Sequence, residues 1–256
     1  MTPTPTSVRI SRIFASSGSA AVNKPLLVVI GLLGCSALAA RGPVNAPDGA
    51  LARAGFVDVR QLVPDMAEDI KYAGSDNFVG VQVDGYEAPR CYLLAPAARA
   101  LARVEASLRP KHQRLLIWDC YRPTQAVAHF MRWAKDLGDQ RTKAVHYPAL
   151  DKTVLLGDYI APRSGHSRGA TVDLTMMQCD ANDQHCVPLD MGTGFDVFDT
   201  LAHTDSPRAT AMQHAHREQL KSAMESAGFN NYAMEWWHYT FKPEPSPDTY
   251  YDLPVR

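Results

Sequence analysis

Two short stretches hold residues whose types and spacing could do chemistry. In "SGHSRGATVDLT" (164–175), His166 sits in a glycine-containing loop, and Asp173 follows seven residues later on a strand-like run. In "EWWH", Glu235 and His238 lie three apart among aromatic residues. A carboxylate between Val172 and Leu174 is out of place in a central strand, because a buried charge needs a cation, a metal or donors. Metal ligation removes that cost; the alternative is an aspartate that caps the loop above it. His166, Asp173 and His238 make a three-ligand set with a fourth position open to water, the donor pattern of a catalytic zinc, one Zn2+ per chain. Glu235 is then the spare carboxylate, suited to take a proton from a water whose pKa zinc lowers to about 7. The alternative is a core histidine beside an arginine-paired glutamate. In a flat strand, residues three apart face opposite sides. Presenting both Glu235 and His238 therefore requires a bulge or a twist.

A third element is "WDCYRP". Arg122 follows a buried-strand pattern and precedes a helix. Amide hydrolysis builds a negative oxygen in its transition state, and a fixed guanidinium is a good donor to it. A surface salt bridge is the alternative. The chain has nine histidines. His112, His129, His146, His185, His203, His214 and His216 lie in polar helix or loop surroundings and read as solvent-exposed.

These residues must be positioned by a fold, and the patterning suggests one. "LLAPAARALARVEASLRP" and "PTQAVAHFMRWAKDLG" read as helices with Pro96 and Pro123 near their starts, where proline is tolerated. "SPRATAMQHAHREQLKSAMESAG" reads as a third, with Ser206 as N-cap, Pro207 at N1 and Gly228 as C-cap. "RLLIWDCY" and "ATVDLTMM" read as strands, and "NYAMEWWHYTF" as an aromatic-rich final strand. Mixed helices and strands without repeated βαβ units predict an α+β domain around a mostly antiparallel sheet.

The 256 residues are 46% hydrophobic and 21% charged, with net charge −1. No basic excess points to nucleic acid. Residues 1–40 read as a signal segment: Arg9, Arg12 and Lys24 precede the apolar "PLLVVIGLLGCSALAA", which is shorter than the ~20 residues of a membrane span. Two exits stay open. "LLGC" resembles a lipobox, which would give a membrane tether through lipidated Cys35; "ALA" at 37–39 suits ordinary cleavage. Either implies export to the periplasm, soluble or as a lipoprotein. Residues 41–55 read as a tether and 56–256 as the domain. Beyond Cys35 four cysteines remain, an even count that fits two disulfides in an exported chain. Cys179 and Cys186 bracket the turn-rich "DANDQH", so a local bridge is the simplest choice, leaving Cys91 with Cys120.

Taken together, "SGHSRGATVDLT", "EWWH" and "WDCYRP" resemble the vancomycin-resistance-type zinc D-Ala-D-Ala dipeptidases. "KYAGSDNFVG", "VDGYE", "MGTGFD" and the ending "YYDLPVR" extend the likeness over roughly residues 56–256. The resemblance implies His166, Asp173 and His238 as zinc ligands, Glu235 as general base, and Arg122 as the arginine at the oxyanion. It implies Ser164 and Asp196 as binders of the substrate's free ammonium, and Tyr72 as a tyrosine lining the pocket. The implied fold is the small α+β zinc peptidase fold shared with D,D-carboxypeptidases and hedgehog-like domains. The implied reaction is hydrolysis of the small dipeptide D-Ala-D-Ala to two D-alanines. The resistance enzymes are cytoplasmic, so the signal segment and the four cysteines depart from the pattern and favour salvage of D-alanine from cell-wall dipeptides. Two rivals stay open. One is a D,D- or L,D-carboxypeptidase trimming peptidoglycan stems. The other is a non-catalytic wall-binding module with a structural zinc, which has no need of Glu235.

Overall fold

A computed structural model describes residues 49–157 and 159–256; the signal segment and Cys35 lie outside them. Gly49–Arg53 forms a short helix, α1, within the stretch read as a tether, and its Leu51 is fully buried. Strand β1 (Phe56–Asp58) pairs antiparallel with β3 (Tyr92–Leu94) in a small two-stranded sheet. The main sheet comprises β2 (Ala67–Glu68), β4 (Gln113–Asp119), β5 (Thr171–Gln178), β8 (Glu235–Phe241) and β7 (Phe229–Tyr232) in that order, with β6 (Val187–Pro188) paired to β5. Only the β2–β4 pairing is parallel, so the described residues form the expected α+β domain with a mostly antiparallel sheet.

Strand β5 is the centre of this sheet. Every residue from Thr171 to Met177 is buried, so its two faces are both covered and the usual in–out alternation is lost. Helix α2 (Ala95–Leu108), with Pro96 in its first turn, buries an Ala/Leu/Val stripe. It packs against α5 (Ala211–Ser226) and β4, and α5 also covers β7 and β8. Helix α3 (Thr124–Lys135) starts directly after Pro123 and contributes Val127 and Phe130 to the wall of a cavity at the sheet. A short helix, α4 (Lys143–His146), precedes the loop that leads to the His166 turn.

Two expectations about element ends change. Helix α5 begins at Ala211, because Thr210 and Gln213 form a reciprocal capping box, Thr210 Oγ1 accepting from Gln213 N at 3.2 Å and Gln213 Oε1 from Thr210 N at 2.9 Å. Ser206 and Pro207 instead belong to the preceding turn, where the Ser206 carbonyl accepts from Ala209 N at 3.0 Å. Gly228 does follow the helix, at φ 96°. The final aromatic stretch is not one strand but a hairpin, β7 and β8, turning at Ala233–Met234.

The four cysteines form Cys91–Cys120 and Cys179–Cys186 bridges. The first ties the end of β4 to the segment entering β3.

Candidate metal centre

The sheet register brings the two chemical stretches together. Asp173 on β5 lies opposite His238 of β8 on one side and opposite Asp119 of β4 on the other. Both partner strands are irregular there. On β4 the register shifts between Ile117 and Asp119. Between β7 and β8, one step from Asn231 to Tyr232 corresponds to four on β8, from Tyr239 to Glu235. That bulge is the distortion demanded by the spacing of Glu235 and His238. Asn231 clips it, its Nδ2 donating to the carbonyls of Glu235 and His238 at 3.1 Å each.

His166 arrives on the turn that leads into β5. Ser164 caps the one-turn helix Gly165–Arg168, its Oγ accepting from His166 N at 3.3 Å. Gly169 then reverses the chain into β5 at φ 75°, and a Cβ there would meet the Phe56 ring at 2.5 Å. Only glycine satisfies both demands.

The result is a tight donor cluster. His166 Nε2 lies 3.1 Å from Asp173 Oδ2 and 3.3 Å from His238 Nδ1, and His238 Nδ1 lies 3.0 Å from Asp173 Oδ1. His166 Nδ1 faces the Cys120 carbonyl at 2.7 Å. A carbonyl only accepts, so that nitrogen carries the proton, and a neutral ring leaves a bare lone pair on Nε2. Burial favours that neutral ring by lowering the His166 pKa. A lone pair aimed at a carboxylate is repulsive unless a cation lies between them. Asp173 Oδ1 is likewise buried with no hydrogen bond. Burial alone would raise the Asp173 pKa, but the two imidazoles pull it below the ordinary range. Two imidazoles and a carboxylate, with a carbonyl orienting one ring from behind, fit a divalent metal such as zinc.

Around this cluster a cavity of about 230 Å³ is lined by Tyr72, Arg122, Ser164, Asp196 and Glu235 as well as the three donors. Glu235 Oε2 lies 3.4 Å from His238 Nδ1, and a fifth of its side chain reaches solvent. Enclosure pushes its pKa up to about 7, with His238 pulling it down and Asp173 pushing it up. Arg122 is held at the back: its Nε donates to Asp119 Oδ2 at 3.0 Å, its Nη2 lies 3.5 Å from Asp173 Oδ2, and its Nη1 donates to Ser164 Oγ at 3.5 Å. Its guanidinium also sits 5.0 Å from the centre of the Tyr72 ring. Asp196 is buried at a left-handed φ of 53° and accepts from Tyr72 Oη at 2.6 Å. Burial raises its pKa well above the carboxylate range; Tyr72 counters this, while Asp173 and Glu235 add to it.

Every sequence-singled residue of the three stretches thus reaches one cavity. Three neighbours are not among the residues singled out from the sequence. Asp119, fully buried, links Tyr86 Oη (2.5 Å), Arg122 and, at 3.4 Å, His166 Nδ1. Asn231 holds the β8 bulge. His146, read as exposed, is buried at 8% and its Nδ1 donates to the Asp196 carbonyl at 3.0 Å, so it pins the strained residue. For Asp119 a signal existed, an acid ending an apolar strand next to Arg122; for the other two only the tertiary pairing reveals the contact.

A family model described as Peptidase_M15, D-ala-D-ala dipeptidase, matches residues 52–256. A protein of Streptomyces coelicolor named D-alanyl-D-alanine dipeptidase is 43% identical over 201 residues, covering 78% of this chain and 98% of the relative. One of the same name from Enterococcus faecium is 38% identical over 203 residues, 79% and 98% of the two chains. One from Escherichia coli K12 is 33% identical over 184 residues, 72% and 83%. With a match that spans nearly all the described residues and a His/Asp/His donor set within it, the chain belongs to the Peptidase_M15 D-Ala-D-Ala dipeptidase family and is a peptidase.

Proposed function

We propose that this peptidase hydrolyses the free dipeptide D-Ala-D-Ala to two D-alanines, with His166, Asp173 and His238 holding one zinc ion. The observation that carries the reading is the meeting, in one cavity, of that donor set with Glu235, a carboxylate that none of the described arginines or lysines pairs. A zinc ion there supplies a Lewis acid for the scissile carbonyl and acidifies water.

The chain's own residues do the rest. Glu235 takes the proton of the attacking water and returns it to the leaving amine; a pKa near 7 suits both transfers at neutral pH. Arg122, already fixed by Asp119, meets the negative charge that grows on the carbonyl oxygen. Asp196, steadied by Tyr72, and Ser164 receive the substrate's ammonium. An enclosed carboxylate at that end disfavours N-acylated peptides and so long wall stems. Export to the periplasm belongs to the same proposal and is supported by the two disulfides, which persist in oxidising compartments. D-alanine salvage then fits better than removal of a cytoplasmic pool.

The test is Glu235→Ala. Turnover is expected to fall by at least ~10²-fold while the protein still binds one zinc by metal analysis. Near wild-type turnover sinks the assignment of the base.

A further inference from the structure

The dipeptide carries a third recognition feature, its C-terminal carboxylate. Among the described residues lining the cavity, two bear a permanent positive charge, Arg122 and Arg163. Arg122 is committed to Asp119 and Asp173. Arg163 forms no ion pair among the described residues; its guanidinium carbon lies 5.5 Å from the Tyr250 ring centre. That ring is itself anchored, since Tyr250 Oη accepts from Arg168 Nη1 at 3.2 Å, and Arg168 is clamped in two places by Glu244. Stacking on a fixed ring holds a guanidinium in place while leaving its N–H edge free for a carboxylate.

Position supports the same role. Beyond the cavity opens a second groove of about 350 Å³, and Arg163, Val127 and Ser164 line both. Asp196 lines only the first cavity. Arg163 therefore borders a part of the wall that Asp196 does not reach, which leaves room for a zwitterion with one charge at each end. Ser167 lines the second groove too, and its Oγ is fully buried without a hydrogen bond. Asp248 is the one acid among the described residues on that groove, and no ion pair joins it to Arg163 there.

We propose that Arg163 receives the substrate's C-terminal carboxylate and is the residue that makes the enzyme specific for a free C-terminus. This rests on the dipeptide reading above. The experiment compares wild type, Arg163→Ala and Arg163→Lys on D-Ala-D-Ala and on its C-terminal amide. Wild type should prefer the free acid. Arg163→Ala should lose about 10- to 100-fold in kcat/KM on the acid, mostly through KM, the size of one charge-assisted contact. Its acid-to-amide ratio should collapse toward one, and Arg163→Lys should recover part of it. An unchanged ratio overturns the proposal. So does an equal loss on both substrates, which would make Arg163 a support of its loop. Zinc content of each variant checks that the centre is intact. If wild type cleaves neither compound, the dipeptide reading fails instead.

Discussion

Replacing Asp196 by asparagine removes one ionisable group from the cavity and little else. Asparagine keeps the size, keeps an oxygen for the 2.6 Å bond from Tyr72 Oη, and leaves the backbone bond from His146 Nδ1 intact. What it cannot do is balance an ammonium. A hydrogen bond to a charged group contributes about 1.5–3 kcal/mol. At about 1.4 kcal/mol per decade, the variant should lose roughly 10- to 150-fold in kcat/KM on free D-Ala-D-Ala. The loss depends on pH, with a definite sign. Burial raises the Asp196 pKa in the free enzyme, so at low pH substrate must first displace a proton. Ionised Asp196 grows with pH, and KM for the free dipeptide should fall as pH rises through that pKa; in Asp196→Asn this limb is absent. N-acetyl-D-Ala-D-Ala has no ammonium, so its turnover should respond far less. The assay is kcat and KM for both substrates, in both proteins, across pH. If Asp196→Asn keeps the wild-type ratio of free to acetylated substrate, the buried carboxylate does not read the ammonium and the reasoning is refuted.

Other perturbations probe the supports. Asp119→Asn removes the charge that holds Arg122 and stands 3.4 Å behind His166. Zinc affinity, measured by competition with a chelator, should weaken by about 10- to 100-fold, and an unchanged affinity would show the aspartate to be dispensable. Away from the centre, Glu68 has both carboxylate oxygens buried without a hydrogen bond, 3.5 Å from Arg60 Nε at the nearest. Burial raises its pKa from 4.5 to about 7. Between those values the folded chain holds a proton that the unfolded chain has released, so this group's contribution falls as pH rises, by up to about 3 kcal/mol. Glu68→Gln should gain stability over wild type between pH 5 and pH 8 in denaturant titrations; identical pH dependence in the two proteins contradicts the buried charge.

The residues that carry the proposed chemistry were legible because they break local rules. Asp173 is a carboxylate inside an apolar strand, and Gly169 is a turn residue where only glycine fits against Phe56. The spacing of Glu235 and His238 conflicts with strand period two, and the conflict itself pointed to a bulge, which the β7–β8 register contains. The supports were hidden because their roles exist only after strands pair. Asn231 and the bulge sit on facing strands, but the stretch read as one strand conceals the hairpin that makes them neighbours. His146 looks like a surface histidine until the 191–199 loop folds over it, placing its carbonyl on Phe198 N and its ring on Asp196. Helix α5 shows the same limit at smaller scale: Ser206–Pro207 and Thr210 are both plausible starts, and only Thr210 finds a reciprocal partner, in Gln213.

The central claim is a metal-dependent dipeptidase that requires a free amine. The most direct measurement is D-alanine release by the full chain after chelator treatment, with and without added zinc, from D-Ala-D-Ala and from its N-acetyl derivative. Release from the free dipeptide should vanish with the metal and return with zinc, and with zinc present the acetylated compound should be cleaved far more slowly. Activity that survives complete metal removal would contradict the metal centre, and faster cleavage of the acetylated compound would contradict the dipeptidase in favour of a carboxypeptidase.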